Sequence, residues 1–185
     1  MTRFRFTHGL ALLILAAGTA SGAEQVFQWK VSEGGNDHYY TAVAGDTWHE
    51  AEAAAVAIGG HLVSINSGSE EDWLLDTFGP VTEDFDSNAF WIGLSDETEE
   101  GVWRWSSGEP VTHTNWGLNE PSGSPHSFED YVYIGRYADA TWNDVWPAGE
   151  GGFLSRGVAE VVPEPATLSL LGLGGLTALI RRRKR

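Results

Sequence analysis

The sequence predicts an α+β fold in which two helices flank small antiparallel sheets, followed by a long irregular loop region. Three observations support this prediction. Two segments carry helix-capping residues followed by apolar residues at helical spacing. Several short apolar runs have the length of strands, and residues 106–127 are rich in Gly, Pro, Ser and Asn. The chain has no cysteine, so the fold contains no disulfide.

The first helix is predicted to begin after Thr47, whose hydroxyl forms a capping box with Glu50 three residues later. The pair Gly59-Gly60 ends it. Apolar residues that recur at helical spacing predict its buried face: Trp48, Ala51, Ala55 and Ile58. Residues 38–43 are rich in aromatic and β-branched residues and predict an outer strand before this helix.

The second helix is predicted to begin at Ser69 and to end at Gly79-Pro80. Its first turn is acidic, which is favourable at the positive end of the helix dipole: Glu70, Glu71 and Asp72. Three large apolar side chains are expected to face inward: Trp73, Leu74 and Phe78.

The remaining strands are predicted from short apolar runs. Residues 89–94 are mostly apolar, which is typical of a central strand buried on both faces. Four further segments are predicted to supply the other strands: 62–65, 103–105, 131–134 and 157–161. A long loop such as 106–127 in a compact domain is usually functional or disordered. Five tryptophans are expected in the core: Trp91, Trp103, Trp105, Trp116 and Trp142.

Charge is distributed unevenly along the chain. The net charge is −15, and most of the 11 basic residues lie near the two ends. The basic residues between positions 24 and 162 are Lys30, Arg104, Arg136 and Arg156. The central region is therefore strongly acidic and would repel phosphate backbones and anionic membranes. Nucleic acid is not expected as a partner, whereas cations, neutral sugars and basic proteins remain.

Both ends of the chain carry export signals. Residues 1–23 combine basic residues, an apolar stretch and a small-residue cleavage site, which predicts a signal peptide. At the other end, Val162-Pro163-Glu164-Pro165 precedes an apolar segment and a basic tip, and this arrangement resembles the PEP-CTERM sorting signal. The resemblance implies that an exosortase of a Gram-negative bacterium removes the tail, 163–185. A simple membrane anchor is the alternative. Residues 24–162 remain as one domain.

The most specific motifs are two tryptophan-centred phrases, Asn-Trp-Gly-Leu-Asn-Glu-Pro at 115–121 and Trp-Asn-Asp at 142–144. The acidic pair Glu129-Asp130 lies between them. Together with Trp-Ile-Gly-Leu at 91–94, these phrases resemble the C-type lectin-like domain over about residues 25–162. The resemblance implies that fold and, in sugar-binding members, a calcium ion that binds two neighbouring hydroxyls of a sugar.

Carboxylate and amide oxygens are the ligands that calcium prefers. Carried over residue by residue, the resemblance places a sugar-binding calcium site at Glu120, Ser122, Glu129, Asn143 and Asp144. A second, structural calcium site would use Asp96, Glu100, Glu129 and Asp130. Because both sites share Glu129, their occupancy is expected to be coupled. In this family the bond before the loop proline is cis when metal is bound, which here is Glu120-Pro121.

Two features depart from the family pattern. Ser122 stands where sugar-binding members carry Asn or Asp, and a serine offers no amide N–H to a sugar oxygen. The family's two disulfides are missing, and their positions align with Ala55 and Ala159 and with Tyr131 and about Pro147. A disulfide that closes roughly a hundred residues would contribute about 4.7 kcal/mol in the chain-entropy model. Packing and bound metal are expected to replace it.

The leading hypothesis is a secreted, calcium-dependent carbohydrate-binding module of the cell surface or biofilm matrix, with a polysaccharide as partner. The alternative is a lectin-like domain that binds a protein or builds matrix, its acids forming a solvated face with at most structural calcium. His113 and His126 are weak zinc candidates, because isolated loop histidines are usually exposed. An enzyme is not expected, since paired carboxylates such as Glu120 and Glu129 would be its only catalytic groups.

Overall fold

A computed structural model of the chain describes residues 25–79, 89–122, 128–135, 140–148 and 154–163. The predicted signal peptide and the sorting signal beyond Pro163 lie outside these ranges. Within them, no helix is long and apolar enough to cross a membrane. The expected α+β class is confirmed: in these ranges two helices in the first half of the chain are followed by five consecutive strands of a mostly antiparallel sheet.

The strands are β1 (Val26–Gln28), β2 (Tyr39–Ala44), β3 (His61–Leu62), β4 (Phe90–Ser95), β5 (Arg104–Trp105), β6 (Tyr131–Ile134), β7 (Trp142–Val145) and β8 (Arg156–Val161). They join in one connected sheet with the order β1-β2-β8-β4-β6-β7, while β3 pairs with β8 and β5 with β4. Strands β4 and β8 are parallel, and the other recorded pairs are antiparallel. The predicted central strand is confirmed, because β4 is flanked by β8 and β6.

Several strands differ from the prediction. Strand β1 was not predicted, and β3 covers His61–Leu62 where a strand over 62–65 was expected. Strand β2 was expected at the outside of the sheet, but β1 pairs with its free edge, so β2 lies between β1 and β8. Strand β7 contains the Trp-Asn-Asp phrase, and its Asn143 and Asp144 are residues of low strand propensity. Pairing with β6 nevertheless holds β7 in extended conformation, and all four of its residues are buried.

The first helix, α1 (Trp48–Ala57), has the predicted capping box. The Glu50 N–H donates to Thr47 Oγ1 and the Thr47 N–H donates to Glu50 Oε2, each over 3.2 Å. Three of the four residues predicted for its inner face are buried: Trp48, Ala51 and Ala55. Ile58 is instead 39% exposed, because the helix has already ended before it.

The second helix, α2 (Gly68–Phe78), begins earlier than predicted. Its N-cap is Ser67, whose side chain accepts the Glu70 N–H over 3.2 Å, so the prediction of Ser69 was wrong. Leu74 and Phe78 are buried, as expected, and Trp73 packs half-buried against the core.

Three of the four positions aligned with the two missing disulfides, Ala55, Ala159 and Tyr131, lie in the core, and Pro147 is partly exposed. Ala55 of α1 and Ala159 of β8 are both 0% exposed and belong to one buried cluster. Near the second pair of positions, Trp48 packs on Tyr131 with 5.1 Å between ring centroids, and the Trp48 N–H donates to the Pro147 carbonyl over 2.9 Å. Aromatic and backbone contacts therefore connect α1 with the strands near the absent disulfides.

The five tryptophans expected in the core all contribute to it. Trp91, Trp105 and Trp142 are at most 2% exposed. Trp103 and Trp116 are partly buried and pack against the cluster that contains Trp105 and Trp142, with 4.9 Å between their ring centroids, whereas Trp91 belongs to the second buried cluster.

A buried carboxylate joins α2 to the sheet. Glu70 is 2% exposed, and its two oxygens accept the Tyr40 hydroxyl over 2.7 Å and the Asn66 N–H over 2.9 Å. The Tyr40 hydroxyl also lies 3.1 Å from Glu160 Oε1, which lies 2.6 Å from His38 Nδ1. Burial raises the pKa of Glu70, and the hydrogen bonds from Asn66 and Tyr40 oppose this rise only in part.

The substitution Glu70→Gln is expected to change the pH dependence of stability. Because folding raises the pKa of Glu70 above its ordinary 4.5, the native state binds this proton more tightly than the unfolded state. The stability that Glu70 contributes is therefore present below the ordinary pKa and is lost as the pH rises through the raised pKa. Relative to wild type, the variant should gain about 1.4 kcal/mol of unfolding free energy per unit of pKa shift across that window.

Urea unfolding in chelator between about pH 4 and pH 7 measures this difference. The exposed Asp76→Asn variant of the same helix is the control. A difference between Glu70→Gln and wild type that stays constant over this range would contradict the prediction.

Candidate functional site

Two segments that are distant in sequence meet at the candidate site, the loop after β5 and strand β7. The Trp142 N–H donates to the Asn115 carbonyl over 2.7 Å, and the Gly117 N–H donates to the Trp142 carbonyl over 2.8 Å. The loop then turns, with the Glu120 N–H donating to the Gly117 carbonyl over 3.0 Å. These bonds place Glu120 beside β7. The peptide bond that follows it, to Pro121, is cis.

Ser122 lies between the predicted carboxylate ligands. Its N–H donates to Asp144 Oδ1 over 3.0 Å, and its hydroxyl donates to Glu129 Oε2 over 3.2 Å. Burial raises the pKa of Glu120, and the nearby carboxylates of Asp144 and Glu129 raise it further against a hydrogen bond with Ser122. Four of the five residues predicted for the sugar-binding calcium site therefore lie together.

The fifth residue, Asn143, is 5% exposed. Its amide nitrogen donates to the Tyr133 hydroxyl and to the Asp144 carbonyl, each over 3.0 Å. Because these bonds use the amide N–H groups, the amide oxygen is the atom that Asn143 can offer to a cation.

The residues of the second predicted site lie next to the first. The Asp96 N–H donates to the Asp130 carbonyl over 3.2 Å, and Asp96 Oδ2 accepts the Gly101 N–H over 2.8 Å. Burial raises the pKa of both carboxyls; Asp144 raises the pKa of Asp96 further, and Asp96 raises that of Asp130. Glu100 is exposed in the same turn. Asp144 thus raises the pKa of one acid in each predicted site, Glu120 in the first and Asp96 in the second. The coupling of the two sites through Glu129 stays a prediction.

The chemistry of these residues fits a calcium ion. The atoms they offer are carboxylate, hydroxyl and amide oxygens. Glu120 Oε2 and Asp96 Oδ1 are buried without a hydrogen-bond partner among the described residues, a costly condition that a cation would relieve. In the same ranges, no three Asp, Glu or His side chains form a group that could hold a metal ion by themselves. Like-charged carboxylates repel one another, and a bound cation would remove that repulsion.

A buried acid that the sequence does not assign to the site connects α2 to it. Glu71 is 4% exposed, and its Oε1 accepts Trp142 Nε1–H over 2.7 Å and Asn115 Nδ2–H over 2.9 Å. Glu71 Oε2 lies 2.8 Å from His113 Nε2, so His113 is not the exposed bystander that was expected. The available signal was spacing, because Glu71 stands three residues before the inward-facing Leu74. The other zinc candidate, His126, lies outside the described residues.

Two helices, a mixed sheet and a long loop that meets a Trp-Asn-Asp strand at an acidic rim define the class of C-type lectin-like domains. The chain belongs to the C-type lectin domain family, since the sequence model described as "Lectin C-type domain" matches residues 44–146. Domains of this family are not enzymes. The model described as "PEP-CTERM protein-sorting motif" matches residues 161–184 and indicates export to the cell envelope of a Gram-negative bacterium.

The chain is similar to curated lectins over the central domain. It is 33% identical over 124 residues to "C-type lectin domain family 4 member F" of Mus musculus. The matched segment covers 63% of this chain but only 20% of that protein. It is 28% identical over 108 residues to "Perlucin-like protein" of Mytilus galloprovincialis. This matched segment covers 58% of this chain and 67% of that protein.

Solved structures of this class also match the chain. The C-type carbohydrate-recognition domain of cow CD23, determined in the presence of GlcNAc2Man3 oligosaccharide, has a TM-score of 0.57 and 26% identity, covering 80% of this chain and 98% of that chain. The C-type lectin CEL-I from Cucumaria echinata has a TM-score of 0.60, covers 70% of this chain and 94% of that chain, and at 24% identity shows the fold alone.

The substitution Glu120→Gln is expected to stabilise the chain in chelator and to weaken calcium binding. In chelator, it removes a partly buried charge whose pKa is raised, so the unfolding free energy should rise near neutral pH, by no more than about 0.5 kcal/mol because solvent screens this partly exposed group. Urea unfolding with and without calcium measures both effects. The exposed Glu33→Gln variant is the matched control. Destabilisation of Glu120→Gln in chelator would show that this carboxylate is well paired without a cation.

Proposed function

We propose that this chain is an exported, calcium-dependent carbohydrate-binding module of the cell surface or extracellular matrix, including biofilm, of a Gram-negative bacterium. The convergence of Glu129 and Asp144 on Ser122, beside a buried and unpartnered oxygen of Glu120, carries this proposal. A calcium ion bound there would supply coordination positions for two neighbouring hydroxyls of a sugar.

The hydrogen bonds in the site define what each proposed ligand offers. Asp144 accepts the Ser122 N–H through Oδ1, which leaves Oδ2 for a cation. Glu120 and Glu129 offer carboxylate oxygens that also accept hydrogen bonds from sugar hydroxyls. Because Ser122 has no amide group and Asn143 uses its N–H groups internally, these side chains present mainly acceptors. This favours a sugar whose two bound hydroxyls both donate.

Two exposed apolar side chains lie next to the proposed ligands in sequence. Phe128 directly precedes Glu129 and is 74% exposed, and Leu118 stands two residues before Glu120 and is 91% exposed. An exposed aromatic side chain beside polar ligands offers a face for the C–H groups of a sugar ring. These two residues therefore support a glycan as the ligand in addition to an ion.

A second, structural calcium ion is proposed at Asp96, Glu100, Glu129 and Asp130. The buried, unpartnered Oδ1 of Asp96 supports it. The repulsion of Asp96 by Asp144 and of Asp130 by Asp96 would be relieved by the same ion. Calcium here would stabilise the loop that follows β4 and would not contact sugar.

The proposed processing follows from the ends of the chain. Residues 1–23 would be removed during export, and an exosortase would recognise Val162-Pro163-Glu164-Pro165 and remove the tail that follows. Before that step the chain would contact the membrane through its apolar tail, and the domain over 24–162 would remain outside.

The second candidate function is a lectin-like domain that binds a protein partner or builds matrix, with calcium at the structural site alone. Ser122 is the observation that favours it, because its hydroxyl is shorter than the amide of the sugar-binding members. Under this alternative, Glu120→Gln would leave partner binding unchanged, whereas Asp96→Asn would lower thermal stability.

Calcium is expected to stabilise the chain and to be required for glycan binding. At a hundred times its dissociation constant, each calcium ion should raise the unfolding free energy by about 2.7 kcal/mol, and Asp144→Asn should remove most of the gain that comes from the sugar-binding site. The exposed Asp72→Asn variant is the matched control. Glycan-array binding in calcium should disappear in chelator.

Two results would count against this proposal in different ways. Unfolding curves that superimpose in calcium and in chelator would exclude the metal from both candidate functions. Calcium-dependent stabilisation without chelator-sensitive glycan binding would favour the protein-binding or matrix alternative.

A further inference from the structure

Glu71 contacts both segments that carry the proposed calcium ligands, although it is not itself a proposed ligand. Its Oε1 accepts the indole N–H of Trp142, the residue directly before Asn143-Asp144. The same oxygen accepts the amide of Asn115, from which the loop continues to Glu120. One buried oxygen atom therefore joins the ligand-bearing strand and the ligand-bearing loop.

The other contacts of Glu71 strengthen this connection. His113 lies two residues before Asn115, with its Nε2 2.8 Å from Glu71 Oε2, and its ring stands edge-on to Trp142 with 5.7 Å between centroids. The backbone atoms of Asn115 and Trp142 are themselves joined over 2.7 Å. The loop and β7 are thus fixed to each other and to α2 at one place.

Glu70 provides an internal comparison one residue earlier on the same helix. It is 2% exposed against 4% for Glu71, so the two carboxylates are buried to nearly the same extent. Glu70 contacts Tyr40, Asn36 and Asn66, none of which belongs to residues 113–122 or to β7; the Asn66 side chain in turn donates to Glu109 at the start of the loop. Loss of either carboxylate removes a buried hydrogen-bond acceptor, but only loss of Glu71 removes a side-chain link between the loop at Asn115 and β7.

We propose that Glu71 is a positioning residue that sets the calcium affinity of the site by fixing the distance between Glu120 and the Asn143-Asp144 pair. The proposal rests on the calcium site proposed above. Residues that orient metal ligands without touching the metal typically change affinity by about 10–100-fold when they are substituted. Substitution of Glu71 should therefore change the calcium affinity, whereas substitution of Glu70 should change the stability and leave the calcium affinity nearly unchanged.

The experiment compares matched pairs of variants of the full chain at a temperature at which circular dichroism shows each to be folded. Glu71→Leu is compared with Glu70→Leu, and the milder Asn115→Ala is compared with Asn36→Ala, which removes a donor to Glu70. Glu71→Gln keeps an acceptor oxygen for Trp142 and Asn115 and serves as the conservative variant. Calorimetric titration with calcium gives the dissociation constant of each.

We expect the calcium dissociation constant to rise about tenfold in Glu71→Leu and about threefold in Asn115→Ala, and to change less than about twofold in the Glu70→Leu, Asn36→Ala and Glu71→Gln variants. Equal changes in the paired variants, or loss of stability in Glu71→Leu and Asn115→Ala without a change in the dissociation constant, would overturn the proposal.

Hydrogen exchange in chelator tests the same claim without metal. The N–H groups of Gly117 and Ser122 donate across the contact between loop and β7. They should exchange faster in Glu71→Leu and Asn115→Ala than in the paired variants; equal rates would overturn the proposal. If wild type bound no calcium, the proposed function would fail, and these exchange rates would still decide whether Glu71 positions the loop.

Discussion

Carboxylates that are buried or nearly buried supply side-chain connections between distant segments of this domain, in which no disulfide is available. Glu52 of α1 accepts the Leu62 N–H and the Ser106 hydroxyl, Glu160 of β8 accepts the Ser64 N–H, and Glu71 of α2 accepts donors from the long loop and β7. Each hydrogen bond to a charged group contributes about 1.5–3 kcal/mol, but an unpaired buried charge costs more than this. The fold therefore depends on complete hydrogen bonding of a few acids.

The acids at the rim are in the opposite condition. Glu71 has donors on both oxygens, whereas Glu120 Oε2 and Asp96 Oδ1 are buried without a partner in the described part of the chain. Raised pKa values of Glu120, Asp96 and Asp130 show that burial and neighbouring carboxylates disfavour their charged forms. Acidic residues thus stabilise the interior through hydrogen bonds, whereas at the rim they would be stabilised by a bound cation.

Local signals in the sequence were sufficient for the helices and the central strand. The Thr47 capping box and the apolar run of β4 are local patterns, and both are confirmed. Strand β7 could not be predicted locally, because its Asn and Asp become extended through pairing with β6. Ser67 and Ser69 are equally good N-cap residues when judged from the sequence alone. The folded helix distinguishes them, because the Glu70 N–H donates to the Ser67 hydroxyl.

The composition of the candidate site came from motif resemblance, and its arrangement came from contacts between distant residues. The motifs named Glu120, Ser122, Glu129 and Asp144, but the position of Ser122 between two carboxylates depends on the pairing of loop and strand. The sequence indicates the burial of Glu71 only weakly, through its three-residue spacing from Leu74. The signal is weak because an acidic residue in the first turn of a helix is equally favourable when it is exposed.

The packing of Ala55 and Ala159, at the positions where the family pattern implies a disulfide, has a consequence for export. A chain without thiols reaches its native state without oxidation, and neither a reducing nor an oxygen-free environment can unfold it by bond cleavage. Its folding therefore needs no thiol oxidation or disulfide isomerisation, so folding and secretion need not be synchronised with thiol chemistry. For an exported protein of the cell envelope, this permits the same fold in aerated and in anoxic surroundings.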